Sequence, residues 1–165
     1  MLHFLLLMSL WLGPSVEARR AVDAPPVNKP ARRQVITLER TICFGTCPIY
    51  KLTIFSDGRV RYEGKKYVKK IGVAQGRISR RNLEELVLQF NNIYYFNLPE
   101  SFTPGSKQCP QYATDMPSAI TSLTWQGRSK RINHYHGCRG SSTLDYLTKL
   151  EEKIDQAVNV TKWTK

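Results

Sequence analysis

Apolar and polar residues alternate along three short segments of the chain, and this period of two constrains the fold most. In 34–40, Ile36 and Leu38 share one face while polar residues share the other. The segments 50–55 and 59–63 repeat the alternation, which is typical of half-buried strands. An Asp-Gly pair between the last two segments supplies the positive φ that a tight hairpin turn requires. These segments predict consecutive antiparallel strands.

Beyond these strands, the hydrophobic period changes twice. Residues 67–78 predict one or two further strands, after a candidate turn at Gly64-Lys65-Lys66, and residues 119–136 predict a hairpin. Two segments instead follow the helical period of 3.6, with Ser79 and Ser142 as their predicted N-caps. The apolar stripes of these helices are Leu83, Leu86, Val87, Phe90, Ile93 and Tyr94 in the first, and Leu144, Leu147, Leu150, Ile154 and Val158 in the second.

The order of these elements predicts an α+β domain over residues 34–165. We expect a mainly antiparallel sheet of about five to seven strands, with the two helices packed on one face in the order strands, helix, hairpin, helix. The proline-containing stretch 96–112 is predicted to be a long loop. Trp163, in the polar tail, is predicted to dock on the domain.

The first 18 residues have the character of an export signal. The apolar run 2–12 is followed by Val16-Glu17-Ala18, which places small residues at the −3 and −1 positions of a cleavage site. The run is shorter than the roughly 20 residues that cross a bilayer. Residues 19–33 are rich in proline and arginine and predict a disordered linker. We therefore expect a periplasmic or extracellular protein after cleavage near Ala18.

The chain is strongly basic, with a formal net charge of +12, and such a charge favours anionic partners. Two clusters of lysine and arginine fall on predicted hairpins and would form one anion-binding face if they were adjacent in the sheet. Their members are Lys65, Lys66, Lys69, Lys70, Arg128, Lys130 and Arg131. Because an exported protein rarely meets nucleic acid, we expect an anionic cell-envelope component or a protein partner.

Four cysteines in a chain with an export signal predict disulfides, and four cysteines allow three pairings. A bridge between Cys43 and Cys47 needs Cα atoms about 4.4 to 6.8 Å apart. The intervening chain must therefore turn, and Gly45 lies where a turn requires it. Cys109 would then pair with Cys138 and join the long loop to the end of the last strand. The connectivity stays open from the sequence.

A metal-binding or thiol-redox site is the alternative use of these cysteines. His134, His136 and Cys138 share one face of a predicted strand, and Cys43 or Cys47 could complete a tetrahedral set. Imidazoles and thiolates suit zinc or copper. A histidine bonded to backbone at a sheet end is the commoner arrangement, and a disulfide leaves no thiolate. We therefore assign no metal and no cofactor, with His134 and His136 as the candidate ligands if a metal is bound.

Enzymatic activity is left open, with a non-enzymatic binding or structural module favoured. No G-x-S-x-G, P-loop or H-E-x-x-H spacing is present, so no residue is assigned a catalytic role. An enzyme that acts on an envelope polymer through Asp115 and His134 is a third hypothesis.

Several motifs together resemble a bacterial family of exported proteins, domain of unknown function family 6438. They are ITLERTICFGTCPIY (36–50), IFSDGRVRYEG (54–64), GRIS (76–79), TDMPSAITSL (114–123) and INHYHGC (132–138). The C-F-G-x-C-P signature followed by an S-D-G hairpin carries most of the resemblance, which covers about residues 35–164. The resemblance implies an exported or envelope-associated setting and carries no activity, substrate or catalytic residue.

Overall fold

A computed structural model describes residues 33–165, which form two sheets and three α-helices. The predicted export signal 1–18 and the predicted linker 19–33 lie outside the described residues, apart from Arg33. The strands are β1 (Gln34–Arg40), β2 (Ile49–Phe55), β3 (Arg59–Lys66), β4 (Gly72–Arg77), β5 (Ser101–Phe102), β6 (Gln111–Tyr112), β7 (Ser118–Trp125), β8 (Arg128–Tyr135) and β9 (Cys138–Arg139). The helices are α1 (Arg80–Asn92), α2 (Ser142–Val158) and α3 (Thr161–Thr164), with a 3-10 turn at Tyr95–Asn97.

The large sheet has seven strands in the order β4-β3-β2-β1-β7-β8-β5, and β6 pairs with β9 in a separate ribbon. Every pair in the large sheet is antiparallel except β5 with β8. The predicted α+β class, with a mainly antiparallel sheet and two principal helices, is confirmed. Within the described residues, no helix has the length and apolar character needed to cross a bilayer.

One face of the sheet forms the core. Ile36 and Leu38 of β1 are fully buried and pair with Ile54 and Leu52 of β2, which are also fully buried. The opposite face carries polar pairs such as Thr37 with Ser122, whose hydroxyls hydrogen-bond at 2.6 Å. The period-two pattern therefore assigned the apolar face of the central strands correctly, because each side chain alternates across the pleat.

The two main helices cover the apolar face, α2 with its predicted stripe and α1 with Leu83, Leu86, Val87 and Phe90. The predicted continuation of the α1 stripe to Tyr94 is wrong, because the helix ends at Asn92 and Tyr94 is 73% exposed with a positive φ. Ser79 caps α1 by accepting the Asn82 N–H at 3.0 Å, as predicted. The cap of α2 is Ser141, which accepts the Thr143 N–H, and the predicted cap Ser142 is the first residue of the helix. The prediction was one residue late because both serines precede the apolar stripe and the sequence does not distinguish them.

Two stretches that the sequence predicts as turn or loop contain strand. Gly64, Lys65 and Lys66 continue β3, since Gly64 pairs with both Tyr50 and Gly72. The predicted loop 96–112 contains β5 and β6, each two residues long. Such short strands are stabilised by tertiary pairing, and they carry too few residues for an alternating pattern to be read.

The C-terminal α3 closes the core at the β3–β4 edge. Trp163 is buried and stacks on Tyr62 with ring centroids 4.8 Å apart. A Cβ atom at Gly76 of β4 would lie 3.0 Å from the Trp163 ring, so glycine leaves room for the indole. The Trp163 carbonyl also accepts the Lys70 N–H at 2.8 Å. These contacts explain why the tail after α2 is ordered.

All four cysteines form disulfides, Cys43 with Cys47 and Cys109 with Cys138. The paired Cα atoms are 5.8 Å and 5.1 Å apart, respectively. The first bridge closes the short connection between β1 and β2. The second joins the end of the long connection after α1 to β9, where both sulfurs are buried.

We expect the two bridges to differ in their contribution to stability. In the chain-entropy model, a loop of the length closed by Cys109–Cys138 is worth about 3 to 4 kcal/mol, and the shorter Cys43–Cys47 loop about 2 kcal/mol. Replacing each pair by alanines and measuring urea unfolding tests this order. A larger loss from the Cys43→Ala/Cys47→Ala variant would contradict it.

A buried histidine–glutamate cluster beside a polar cavity

One row of paired residues crosses the sheet beneath α2 and carries three polar side chains onto the core face. Arg40 pairs with Tyr50 on one side and with Ala119 on the other, and Ala119 pairs with His134. Arg40, Tyr50 and His134 therefore point to the same face. His136 follows on that face, immediately after β8 ends. The core face of the sheet therefore carries polar side chains at this end, and these side chains need polar partners.

Helix α2 supplies those partners. Glu151 lies within the apolar stripe of the helix and is 0% exposed. Asp155 follows one turn later, on the same side. The helical spacing that buries Leu147 and Ile154 against the sheet therefore also buries a carboxylate.

The carboxylate of Glu151 joins the two histidines. Its Oε1 is 2.8 Å from His134 Nδ1, and its Oε2 is 2.7 Å from His136 Nε2. Since an ionised carboxylate can only accept hydrogen bonds, His134 donates through Nδ1 and His136 donates through Nε2. The remaining ring nitrogens, His134 Nε2 and His136 Nδ1, have no hydrogen-bond partner among residues 33–165.

Arg40 and Tyr50 complete the cluster. The Arg40 guanidinium donates to Glu151 Oε2 at 3.2 Å and to Asp155 Oδ2 at 2.8 Å. The Tyr50 hydroxyl donates to Asp155 Oδ1 at 2.8 Å. We call Arg40, Tyr50, His134, His136, Glu151 and Asp155 the buried cluster. It connects β1, β2 and β8 to α2 through hydrogen bonds rather than through apolar contact alone.

Burial and charge act in opposite directions on the two acids. Burial opposes ionisation of Glu151, but hydrogen bonds from His134 and His136, together with the Arg40 charge, hold its pKa below the ordinary value of 4.5. For Asp155, burial dominates and raises the pKa above its ordinary value of 3.8, against the opposing influence of Arg40 and Tyr50. The pKa of Arg40 is raised because Asp155 and Glu151 outweigh its own desolvation.

The charges of the cluster do not balance when both imidazoles are neutral. Glu151 and Asp155 then carry two negative charges against the single positive charge of Arg40. A bound cation would cancel the excess. The cluster is therefore electrostatically suited to hold an additional positive charge.

A polar cavity of about 500 Å³ lies directly beside the two histidines. Its wall continues from β8 through β9 into the start of α2. The lining residues are His134, His136, Cys138, Arg139, Gly140, Ser141, Ser142, Leu144, Asp145 and Thr148. The cavity is thus lined both by the two imidazoles and by the N-terminus of a 17-residue helix.

The proposed thiolate ligands do not fit the structure. Cys138 shares a face with the histidines as predicted, but it is bonded to Cys109, and Cys43 is bonded to Cys47. The candidate ligands His134 and His136 do come together, with Glu151 as a third group, and their donor atoms all lie within 4.8 Å of one another. Their partner is a carboxylate and not backbone, contrary to the arrangement expected from the sequence.

The two basic clusters do not form one face. The cluster of Lys65, Lys66, Lys69 and Lys70 lies at the end of β3 and in the following turn, whereas Arg128, Lys130 and Arg131 lie at the start of β8. Strands β2, β1 and β7 separate β3 from β8. The antiparallel register also places the two clusters at opposite ends of the sheet. The two clusters are therefore not adjacent and cannot form one anion-binding surface.

Asp115 does not serve His134. Its exposed carboxylate accepts a hydrogen bond from the Thr114 hydroxyl at 2.9 Å, and the acid bonded to His134 is Glu151. The hypothesis of an Asp115–His134 pair is therefore replaced by a His134–Glu151 pair.

Sequence reasoning missed Glu151, Asp155 and Arg40. The signal for Glu151 was present, since it falls seven residues after Leu144 and four after Leu147, inside the apolar stripe of the second helix. Arg40 likewise continues the buried parity of Ile36 and Leu38. A charged residue at a position predicted to be buried indicates a partner elsewhere in the chain.

The sheet, the two principal helices and the two disulfides define this protein as a disulfide-braced α+β domain. A family model, Domain of unknown function (DUF6438), matches residues 34–158, and the chain belongs to that family. The match covers all the strands and both principal helices. The comparison with curated proteins gives no match.

We expect Glu151→Gln to destabilise the fold strongly. The substitution replaces a carboxylate that accepts hydrogen bonds from Arg40, His134 and His136 by an amide with a single acceptor oxygen. Breaking one partner of a buried ionic network costs about 3 to 5 kcal/mol. The adjacent Glu152 is exposed and serves as the matched control. Glu152→Gln should leave the free energy of unfolding within about 0.5 kcal/mol of the original value.

The same variant has a defined pH dependence. Because the pKa of Glu151 is lower in the folded state than its ordinary 4.5, the unfolded state binds more protons as the pH falls below that value. The stabilisation by Glu151 is complete above this range and is lost as the pH falls through the folded-state pKa. The difference in unfolding free energy between wild type and Glu151→Gln should therefore shrink below pH 4.5. A difference that grows on acidification would contradict the ionised cluster.

Proposed function

We propose that this protein is an exported, non-enzymatic binding module, braced by two disulfides, that holds a small anionic ligand in the cavity beside His134 and His136. The predicted signal over residues 1–18 and the disulfide-bonded cysteines support export, because disulfides persist in oxidising compartments. The observation that carries the ligand assignment is a polar cavity lined by both the imidazoles and the N-terminus of a helix.

Two features of the cavity favour an anion. Backbone N–H groups at the start of α2 and the helix dipole favour negative charge. Arg139 lies in the wall, where its guanidinium donates to the carbonyl of His136 at 2.8 Å. Asp145 also lines the cavity, but it is exposed and free to turn toward solvent.

Binding is favoured over catalysis because no activated nucleophile accompanies the histidines. Within residues 33–165, no serine or threonine hydroxyl hydrogen-bonds to His134 or His136, and the Ser141 hydroxyl accepts the Thr143 N–H. A hydrolase of the Ser-His type requires a hydrogen bond between the nucleophile and its base. The His134–Glu151 pair without such a partner orients an imidazole toward a ligand.

The ligand assignment is tested by titrating ¹⁵N-labelled protein with inorganic phosphate and with galacturonate, a free sugar acid. We expect saturable shifts of the amides at 139–143 and of the imidazole signals. His136→Ala should weaken binding about tenfold, the factor that corresponds to about 1.4 kcal/mol.

Arg131→Ala is the matched control, because Arg131 is an exposed cation on β8 that does not line the cavity. It should leave the affinity unchanged. Equal losses in the two variants, or no saturable shift with either anion, would contradict the cavity as an anion site.

Metal binding is the second candidate function, favoured by the convergence of two imidazoles and one carboxylate within 4.8 Å. Two histidines and one carboxylate form a common metal-binding set. The guanidinium of Arg40, 3.2 Å from Glu151 Oε2, opposes a cation at that position. If a metal is held, calorimetric titration with Zn²⁺ will show one saturable site that His134→Ala abolishes. Heat of dilution alone would exclude this function.

A further inference from the structure

Two neighbouring loops at one end of the sheet expose apolar side chains. In the connection between β1 and β2, Phe44 is 87% exposed and Ile42 is 64% exposed. In the turn between β3 and β4, Tyr67 and Ile71 are also exposed. An exposed group of apolar side chains of this kind marks an interaction surface. We call these four residues the apolar tip.

The structure holds Phe44 in place rather than leaving it on a free loop. The Cys43–Cys47 bridge closes the loop around it, and Gly45 adopts a φ of 140°. The Phe44 N–H donates to the Asp115 carbonyl at 3.1 Å. A loop whose backbone is already fixed loses little conformational freedom on contact, so Phe44 suits an anchoring role.

Lysines surround the apolar tip. Ile49, two residues after the bridge, pairs with Lys66 at the end of β3, so the disulfide loop and the lysine-rich turn are adjacent. Lys65 forms an ion pair with Glu39 at 2.9 Å. Lys66, Lys69 and Lys70 are exposed, and none has an ion pair with another residue of the described part of the chain.

We propose that the apolar tip and the three exposed lysines dock the protein on an anionic lipid surface. Side chains such as Phe44 enter the boundary between headgroups and acyl chains, while lysines contact anionic headgroups. Protein–protein interfaces are depleted in lysine, so a surface with three exposed lysines beside an aromatic anchor favours lipid over a protein partner. The surface uses no residue of the histidine cavity, so it is independent of the proposed ligand.

The test is sedimentation of the purified protein with vesicles of phosphatidylcholine containing about 30 mol% phosphatidylglycerol, with pure phosphatidylcholine vesicles as reference. We expect binding only to the anionic vesicles, weakened as salt rises from about 0.1 to 0.5 M. Phe44→Ser should weaken binding about tenfold. Replacing Lys66, Lys69 and Lys70 together by glutamine should weaken it about 100-fold, since each lysine contributes about a factor of five.

Two controls separate this surface from general charge and from general hydrophobicity. Replacing Arg128, Lys130 and Arg131 by glutamine removes the same charge at the opposite end of the sheet, and Leu88→Ser removes an exposed apolar side chain from α1. Both should leave vesicle binding unchanged, as should His136→Ala. Circular dichroism of each variant verifies that the fold is retained.

Three results would overturn the proposal. The first is no binding to anionic vesicles, and the second is equal loss of vesicle binding when Lys66, Lys69 and Lys70 or Arg128, Lys130 and Arg131 are replaced. The third is undiminished binding by Phe44→Ser. Binding to soluble polyglutamate with the same dependence on Phe44, but not to vesicles, would assign the surface to an acidic polymer instead. Because the cavity variant is measured in parallel, failure here is distinguishable from failure of the proposed anion site.

Discussion

The carboxylate of Glu151 is the interaction on which the arrangement of α2 over the sheet depends. It is fully buried, and Arg40 of β1, His134 of β8 and His136, just after β8, donate to it. Apolar side chains alone would let a helix shift along a sheet at modest cost, because hydrophobic contact is not directional. A shift of one helical turn would leave a carboxylate buried without donors, which costs far more. We therefore interpret Glu151 as the residue that fixes the position of α2, and with it the wall of the cavity.

The elements of the fold could be predicted because their signals are local. The alternation in 34–40 and the stripe of Leu144, Leu147 and Leu150 each identified an element and its buried face. The two-residue strands β5 and β6 could not be predicted, because they are stabilised by partners distant in sequence. The pattern also does not decide whether Ser141 or Ser142 caps the second helix, because that depends on the backbone geometry of a single residue.

The candidate site was predictable only in part, because its residues come from elements distant in sequence. The alternation of β8 places His134 and His136 on the same face of the sheet, so the sequence predicts that they lie together. Their partner Glu151 is 15 residues beyond His136 and on another element, so only the packing of α2 brings it to them. The hydrophobic stripe identifies the buried face of α2, but the stripe alone does not mark Glu151 as buried within it. A buried charge needs a partner, so a charged residue at a buried position points to the partners around it, which composition does not do.

The disulfides and the two proposed surfaces share one end of the molecule. Cys138 lines the cavity, and Cys109–Cys138 therefore fixes part of its wall. Cys43–Cys47 holds the loop that displays Phe44. Residues 113–117 connect the two regions, since the Asp115 carbonyl accepts from Phe44 and the Pro117 carbonyl accepts from the His136 N–H. Covalent bracing is thus concentrated where the sheet ends rather than in the core.

This concentration has a physical reason. The centre of the sheet is held by paired strands and close apolar packing, which need no cross-link. The connections at its end bury little apolar area and would otherwise sample many conformations. A ligand or a lipid surface that bound there would have to order them and would lose affinity in doing so. Because the bridges and the 113–117 segment order these connections in advance, a ligand or lipid surface that bound near His136 and Phe44 would lose less affinity to this ordering.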